Sequence, residues 1–583
     1  MIDEVNRKMN VLNNLVIELL NVQIERRSDE RGSYEFYNPR DGWVFIASTA
    51  EVYDGELHIV IDSDKPEDSV IAHTSRAYGT NETMLWLSAG KHRINILYEG
   101  DGRIERIIAR AVPELIFCKF QYDPHVTEHG PYDWRFLERY VLPHVNTIVG
   151  SGAYDHGPFV ERWKRNGGRW LIETGNVWAH KGKTPSADDV FERWSSNLGL
   201  QEPLLDGIIV DEFGAGDRDE YPAWTEAIER IAADRRFHDK TYYAYCGGGM
   251  YRSNMSRRFI ETLLRCGYRI ALERYLSERP DEESARDFIR EMLVEEMLRW
   301  KEVFPNCERQ MVICFGYMSA PPESLNIDPS VDYKVFMDMQ FNVIANDPAF
   351  SDLFGVMEYT SGYADEETVR WAAALYRHYC LEGHTDMLSD RYGFRYRLDH
   401  VENPDFAHGL NGWRVIPAEE GSIGVKVING FSWLEGRYPR TPVGDTVLWM
   451  KRKANRPNTV AQRIRNLKPG KLYSLKMFSA DHRDLVEGRS ERKSHVLTIK
   501  LDGAELIPDR CFQYIFPNCY SHHLGPFNRE HRFWVNYHFL LFRPRSETAQ
   551  LTITDWACDS EPGAPIGQEL ILNFIEVQPY FEP

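Results

Sequence analysis

Four short apolar runs in the middle of this chain each end in a carboxylate. They are Leu171-Ile before Glu173, Ile208-Ile-Val210 before Asp211 and Glu212, Ala271-Leu before Glu273, and Val356-Met before Glu358. A fifth ends in Tyr245 and Cys246 and passes into Gly247-Gly-Gly249. One acid alone could cap a helix or pair with a neighbour such as Arg274. Several gathered at one place would repel one another and lose hydration, a cost that stability alone does not explain. Two carboxyl groups on either side of one bond can divide acid–base work. One, kept protonated by its surroundings, donates to a leaving oxygen, and the other attacks the reacting carbon or activates water. Glycosidic bond hydrolysis needs that division and no cofactor. Asp211, Glu212 and Glu273 are therefore the candidate catalytic residues. Glu173, Asn176, Trp178, Tyr245, Tyr275, Glu358 and Tyr359 are the candidate substrate-binding residues, the rings offering flat faces to sugars.

Such acids must be carried on strands whose C-terminal ends converge. From Glu114 onward, eight strand-like runs (115–120, 147–149, 169–172, 207–210, 241–245, 268–272, 310–315 and 353–357) alternate with helical segments at 134–142, 159–165, 223–233, 256–265, 283–304 and 366–382. Within 288–300 the apolar residues fall three and four apart. Eight βα units in this length predict a (β/α)8 TIM barrel, whose chemistry sits at the strand C-termini. A doubly wound open sheet is the runner-up, but no Gly-x-Gly-x-x-Gly follows the first strand. Strand side chains alternate in direction, so only one of Asp211 and Glu212 should face the barrel axis unless the strand has already ended.

The flanks differ. Residues 1–112 hold short strands punctuated by Asn38-Pro39, Asp54-Gly55 and Ala89-Gly90, which predicts an accessory β-sandwich. Residues 113–400 would be the catalytic barrel, and 401–583 a second strand-rich unit. The expected fold class is multidomain α/β plus all-β: a TIM barrel between two β-sandwiches.

Composition narrows the partners. A chain of 583 residues exceeds one ordinary core. Its 69 basic against 88 acidic residues give a net charge of −19, which argues against nucleic acid or an anionic membrane as partner. No run is long and apolar enough to span a membrane. The first 25 residues mix charges among apolar positions, unlike a secretory leader, so the chain as written is expected in the cytoplasm, with a removed export leader left open. The nine cysteines form no Cys-x-x-Cys pair and suggest neither a disulfide scaffold nor a zinc site. Oligomeric state stays open; the β-domains could supply a homo-oligomer surface.

The tail carries a resemblance. Asn403-Pro-Asp-Phe, then Gly409-Leu-Asn-Gly-Trp413, then Gln462 and Leu467-Lys-Pro-Gly-Lys-Leu-Tyr-Ser-Leu475 resemble the jelly-roll carbohydrate-binding modules often attached to bacterial glycoside hydrolases of polysaccharide degradation. In that superfamily the module either binds sugar or braces the catalytic domain. The resemblance implies a carbohydrate substrate, with Trp413, Trp433 and Trp449 as platform or core residues. The acid placement is similar to that of retaining α-glycosidases of the α-galactosidase type, where a strand-four Asp is the nucleophile and a strand-six acid the proton donor. By that likeness Asp211 would be nucleophile, Glu273 acid/base, and the outcome retention. The commoner Asn-Glu after strand four and Glu after strand seven are absent, since 315–319 holds no acid.

Two other classes compete. A non-catalytic glycan-binding or scaffold protein could have kept the barrel. A metal-dependent amidohydrolase or deacetylase could use Asp123, His125 and His129 with Asp155 and His156, although no His-x-His closes strand one and no metal ligand is assigned. No Gly-x-Ser-x-Gly elbow is present at a strand-to-helix turn. Gly247-Gly-Gly249 lacks a following Lys-Ser/Thr and reads as a close backbone approach rather than a phosphate cradle.

Overall fold

The structure is a computed structural model that describes residues 10–27, 32–74, 77–151, 157–438, 443–488, 491–517 and 533–582. Eight parallel strands close into a barrel in chain order: β1 (Glu114–Phe120), β2 (Thr147–Gly150), β3 (Arg169–Thr174), β4 (Gly207–Phe213), β5 (Thr241–Cys246), β6 (Arg269–Arg274), β7 (Met311–Gly316) and β8 (Gly355–Tyr359). Helices follow each strand, several behind a side chain that caps the first turn: Asp133, Ser186, Asp281, Asp332 and Asp365 each accept from a backbone N–H. Ile116, Cys118, Leu171, Ile209, Tyr243, Tyr245, Ala271, Val312, Cys314 and Met357 fill the barrel interior, while Ile172, Val210, Leu272 and Ile313 pack outward on the helices. This alternation makes a packed core rather than a pore.

The N-terminal end of the barrel is sealed by a polar plug. The buried Glu114 carboxylate accepts from the Tyr243 hydroxyl at 2.5 Å and the Thr147 hydroxyl at 2.9 Å, and pairs with Arg169 at 3.2 Å. Every acceptor oxygen there is used, which leaves the opposite end for chemistry.

The N-terminal unit is a sandwich made from one sheet folded over itself. The strand Gly42–Ile61 pairs along its whole length with Gly90–Val112, and a register shift lies between Val52 and Asp54. Ala77–Leu87 borders the first half of Gly42–Ile61 and Ser69–Thr74 its second half. The two halves close on a common core of Val44, Ile46, Leu57, Ile59, Ile94, Ile96, Ile104 and Ile107. The fold-over passes through Gly55 and Gly100, where a Cβ on Gly55 would lie 1.9 Å from the Glu99 carbonyl oxygen and φ is +75°. Gly55→Ala is expected to cost about 2–4 kcal/mol, because both the backbone angle and the facing carbonyl reject a side chain; a thermal melt that matches wild type would refute this. Trp43, Phe45, Ala47 and Met84 on the other face join the barrel's outer core.

The C-terminal unit is a two-sheet sandwich with four and seven strands. Trp413, Met450, Val460, Leu475, Leu551, Leu572 and Ile575 lie between the sheets, so Trp413 is core. The outer face of the larger sheet packs on barrel loops through Val126, Ala320, Phe478, Tyr537, Phe539 and Phe574. A charged network crosses this seam. The Lys476 ammonium lies 3.1 Å from Asp365 and 3.3 Å from Glu576, and Lys334 lies 3.1 Å from Glu367, all five of these acids and bases being buried.

Candidate active site

The C-terminal mouth of the barrel gathers acids from three strands, β3, β4 and β6. Glu173 on β3 follows inward-facing Leu171, and Glu273 on β6 follows inward-facing Ala271, so alternation points both carboxylates over the barrel interior. On β4 the pleat is interrupted. Val210 pairs with Ala244 and Phe213 with Cys246, so two residues, Asp211 and Glu212, stand opposite the single Tyr245. Glu212 takes φ +70° at this bulge, which restores Phe213 to the outer layer against Trp224 and Phe259. Both members of the Asp211–Glu212 pair therefore belong to the mouth: Asp211 half-buried in the inward register, Glu212 exposed.

The same device occurs on β1. Cys118 pairs with Val149 and Phe120 with the next residue, Gly150, leaving Lys119 as an extra residue. Its ammonium lies 2.7 Å from Glu173 Oε1 and 4.4 Å above the Tyr122 ring. The Cys118 thiol lies 3.8 Å from Glu173 Oε2. Lys119 was not among the sequence candidates. The available signal was a charge inside an otherwise apolar run, 115–120.

Aromatic rings make the floor. Tyr275 stacks on Tyr359 with centroids 5.6 Å apart and planes 13° apart, and Tyr245, fully buried, meets Tyr359 edge-on at 5.6 Å. The Tyr275 hydroxyl donates to Glu273 Oε1 at 2.8 Å. Trp178 is half-buried beyond β3, edge-on to Trp224 at 5.1 Å. Asn176 Oδ1 accepts from the Val177 N–H at 2.9 Å, while its buried Nδ2 has no protein partner.

Glu358 does not join this group. β8 runs to Tyr359, two residues beyond the apolar run visible in the sequence, so Glu358 is still inside the strand and alternates outward between inward-facing Met357 and Tyr359. Its carboxyl is 2% exposed, has no hydrogen-bond partner, and is held protonated by burial, well above the ordinary carboxylate range. It lies among Tyr333, Tyr376 and Cys380 behind the barrel wall.

Crowding sets the proton affinities. Burial, and then the charges of Glu173, Glu273 and Glu212, push the Asp211 carboxyl up to about 7. Burial also raises Glu273, against the Tyr275 hydroxyl, which favours its ionised form. Burial alone would lower the Lys119 ammonium, but the Glu173 carboxylate beside it holds it above its ordinary value.

The remaining motifs have structural partners. A Cβ on Gly248 would lie 2.2 Å from the Arg274 guanidinium, which pairs with Glu296 at 3.1 Å; Gly249 N–H donates to the same Glu296 at 2.7 Å. The glycine turn thus admits an arginine. His129 is buried against Phe512 and Phe539 of the C-terminal sandwich, whereas His125 is exposed and stacks on Tyr363 at 4.7 Å. Asp155 and His156 lie outside the described residues. Among the described residues, no three His, Cys, Asp or Glu side chains are arranged to hold a metal ion.

No protein-family model matches the sequence, and no curated protein matches it. Solved structures similar to this chain include a Bacteroides uniformis beta-glucuronidase (9% identity, 92% of this chain and 80% of that one, TM-score 0.35) and a ruminal GH26 endo-beta-1,4-mannanase (9% identity, 60% and 88%, TM-score 0.28). A family 35 carbohydrate binding module from Clostridium thermocellum matches 14% of this chain and 72% of its own at 17% identity and TM-score 0.12.

Proposed function

We propose that this protein is a glycoside hydrolase that cleaves an oligo- or polysaccharide with Asp211 as proton donor and Glu273 as nucleophile. The observation that carries this reading is the convergence of Glu173, Asp211, Glu212 and Glu273 on one barrel mouth, with the proton on Asp211 retained up to about pH 7. A carboxyl still protonated near neutrality can donate to a leaving glycosidic oxygen. Glu273, bonded to the Tyr275 hydroxyl, is the member of the pair with a partner that stabilises its negative charge. This reverses the roles implied by the likeness to α-galactosidase-type enzymes.

Glu173 is engaged by Lys119 and orients the floor. Glu212, exposed at the rim, contacts substrate. Tyr359 and Tyr275 give the sugar a flat face, with Tyr245 beneath and Trp178 and Asn176 at the β3 side. Retention would require the Asp211 and Glu273 carboxyl groups to stand about 5–5.5 Å apart, and inversion about 6.5–9.5 Å. The C-terminal sandwich braces the barrel through the Lys476 and Lys334 network.

The test is hydrolysis of a panel of aryl α- and β-glycosides and polysaccharides by wild type, Asp211→Asn, Glu212→Gln and Glu273→Gln, each confirmed folded. On a responsive substrate Asp211→Asn and Glu273→Gln are expected to lose at least about 100-fold in kcat/KM and Glu212→Gln about 10-fold or less. The first-formed anomer, followed by NMR, is expected to retain configuration. Equal rates in all four proteins would rule out the carboxylate pair.

A further inference from the structure

The two bulges at the mouth deliver opposite charges, Glu212 from β4 and Lys119 from β1. A bulge re-aims one side chain at the expense of ladder hydrogen bonds, and bulges concentrate beside functional sites. Lys119 is the cation the mouth receives in this way. Its side chain and that of Glu173 are 12% and 13% exposed, and their 2.7 Å contact is shielded from solvent by the Tyr122 ring, which lies against Gly362 so closely that a Cβ there would sit 1.9 Å from it. The pair is thus anchored on two strands, β1 and β3, and covered by the segments that follow β1 and β8, rather than left as a mobile surface contact.

From this geometry we propose that Lys119 is a positioning residue for the proposed acid: its ion pair with Glu173 balances the charge beside Asp211 and holds Glu173 in place. The inference rests on the glycosidase reading for its catalytic meaning, and on the ion pair alone for its electrostatics. Asp211 is faced by Glu173 from β3, Glu273 from β6 and Tyr359 from β8, with Glu212 next to it in the chain. Glu173 is faced by Cys118 and Lys119 from β1, Tyr245 from β5 and Tyr359 from β8. Among the described residues, Lys119 is the only cation in that set. Without it, Glu173 would add an unbalanced negative charge next to Asp211, and the carboxyls would take up protons at higher pH. With Glu173 neutralised instead, Lys119 would be the unbalanced charge, and Asp211 would release its proton at lower pH. Opposite shifts from the two partners are what a packing role would not produce.

The measurement needs no substrate. The difference in Tm between each protein and its Asp211→Asn counterpart, followed from pH 4 to 9, reports the titration of Asp211 in the folded state. Lys119→Met is expected to move the midpoint up by about one pH unit, Glu173→Gln to move it down, and Lys119→Arg to leave it near wild type. On a hydrolysed substrate, the alkaline limb of the kcat/KM profile should move with the midpoint. Unmoved midpoints in both Lys119→Met and Glu173→Gln would overturn the proposal, with or without turnover. Shifted midpoints without turnover on any glycoside would uphold the coupling and count against the glycosidase reading instead. If Lys119→Met does not fold, the downward shift in Glu173→Gln decides the matter alone.

Discussion

Asp211→Asn is expected to abolish most activity and, at the same time, to make the protein more stable at alkaline pH. The sign follows from linkage. In the unfolded chain Asp211 loses its proton near 3.8, whereas in the folded protein it keeps it up to about 7. Between these values the folded state binds more protons than the unfolded one, so stability falls as pH rises through the window and stays low above it. Asparagine carries no charge and escapes that cost. At pH 8 the variant should gain on the order of 2 kcal/mol, the full shift being discounted for solvent near the half-buried carboxyl. Below pH 4 the difference should vanish. Activity distinguishes the donor role further. With a leaving group that needs no protonation, such as a dinitrophenolate, the Asp211→Asn loss should shrink from at least about 100-fold to a few-fold, whereas Glu273→Gln should remain inactive on every leaving group. An Asp211→Asn loss independent of leaving group would return Asp211 to the nucleophile role.

The second large effect lies far from the mouth. Lys476→Met leaves Asp365 and Glu576 facing each other across the barrel–sandwich seam without their cation. Breaking one member out of a buried ion network typically costs about 3–5 kcal/mol, because the remaining charges lose their compensation without regaining water. Burial alone would raise the Asp365 carboxyl, but the Lys476 ammonium outweighs it and holds Asp365 well below the usual range. That contribution is present above the unfolded value near 3.8 and is lost as pH falls through the lower, folded one. The deficit of the variant should therefore be largest near neutrality and shrink in acid. Urea melts of wild type and Lys476→Met at about pH 2.5 and at pH 7 would check it, and a variant as stable as wild type at pH 7 would contradict it. Combining Lys476→Met with Asp365→Asn and Glu576→Gln should recover part of the loss.

Much of the barrel was legible because a buried parallel strand leaves a continuous apolar run, and each of the eight runs overlaps a barrel strand. What was not legible depends on where a strand stops or skips a residue. Glu358 looked like Glu273, each following an apolar run inside its strand, yet one is outside the wall and the other inside the mouth, because Glu358 follows inward-facing Met357 whereas Glu273 follows outward-facing Leu272. Glu212 and Lys119 owe their places to bulges, which leave no periodic trace in sequence. The helices Ala187–Ser195 and Tyr333–Asn346 are not among the segments named from the sequence. The second is buried on most sides, Val335, Phe336, Met337, Met339 and Phe341 included, so it lacks the polar face that marks a surface helix. The N-terminal sandwich was read as many short strands because Gly55 and its neighbours look like a turn; they are a bend within one strand of 20 residues.

The helices around β7 and β8 are finished by pieces from both distant ends of the chain. Asn13 donates to the Tyr379 and His384 carbonyls, Asn14 to those of Ile344 and Asp347, and Leu15 and Val16 enter the outer core. From the other direction Phe581 packs on Trp371, its N–H on Glu367 and its carbonyl on Arg370. During synthesis, then, a nascent chain that has already displayed all eight barrel strands still lacks the plug that comes some 190 residues after Tyr392. Until translation reaches it, Trp371 and its neighbours face water or a chaperone. Shortened genes that stop after the barrel should yield insoluble protein for this reason, even with every catalytic carboxylate encoded.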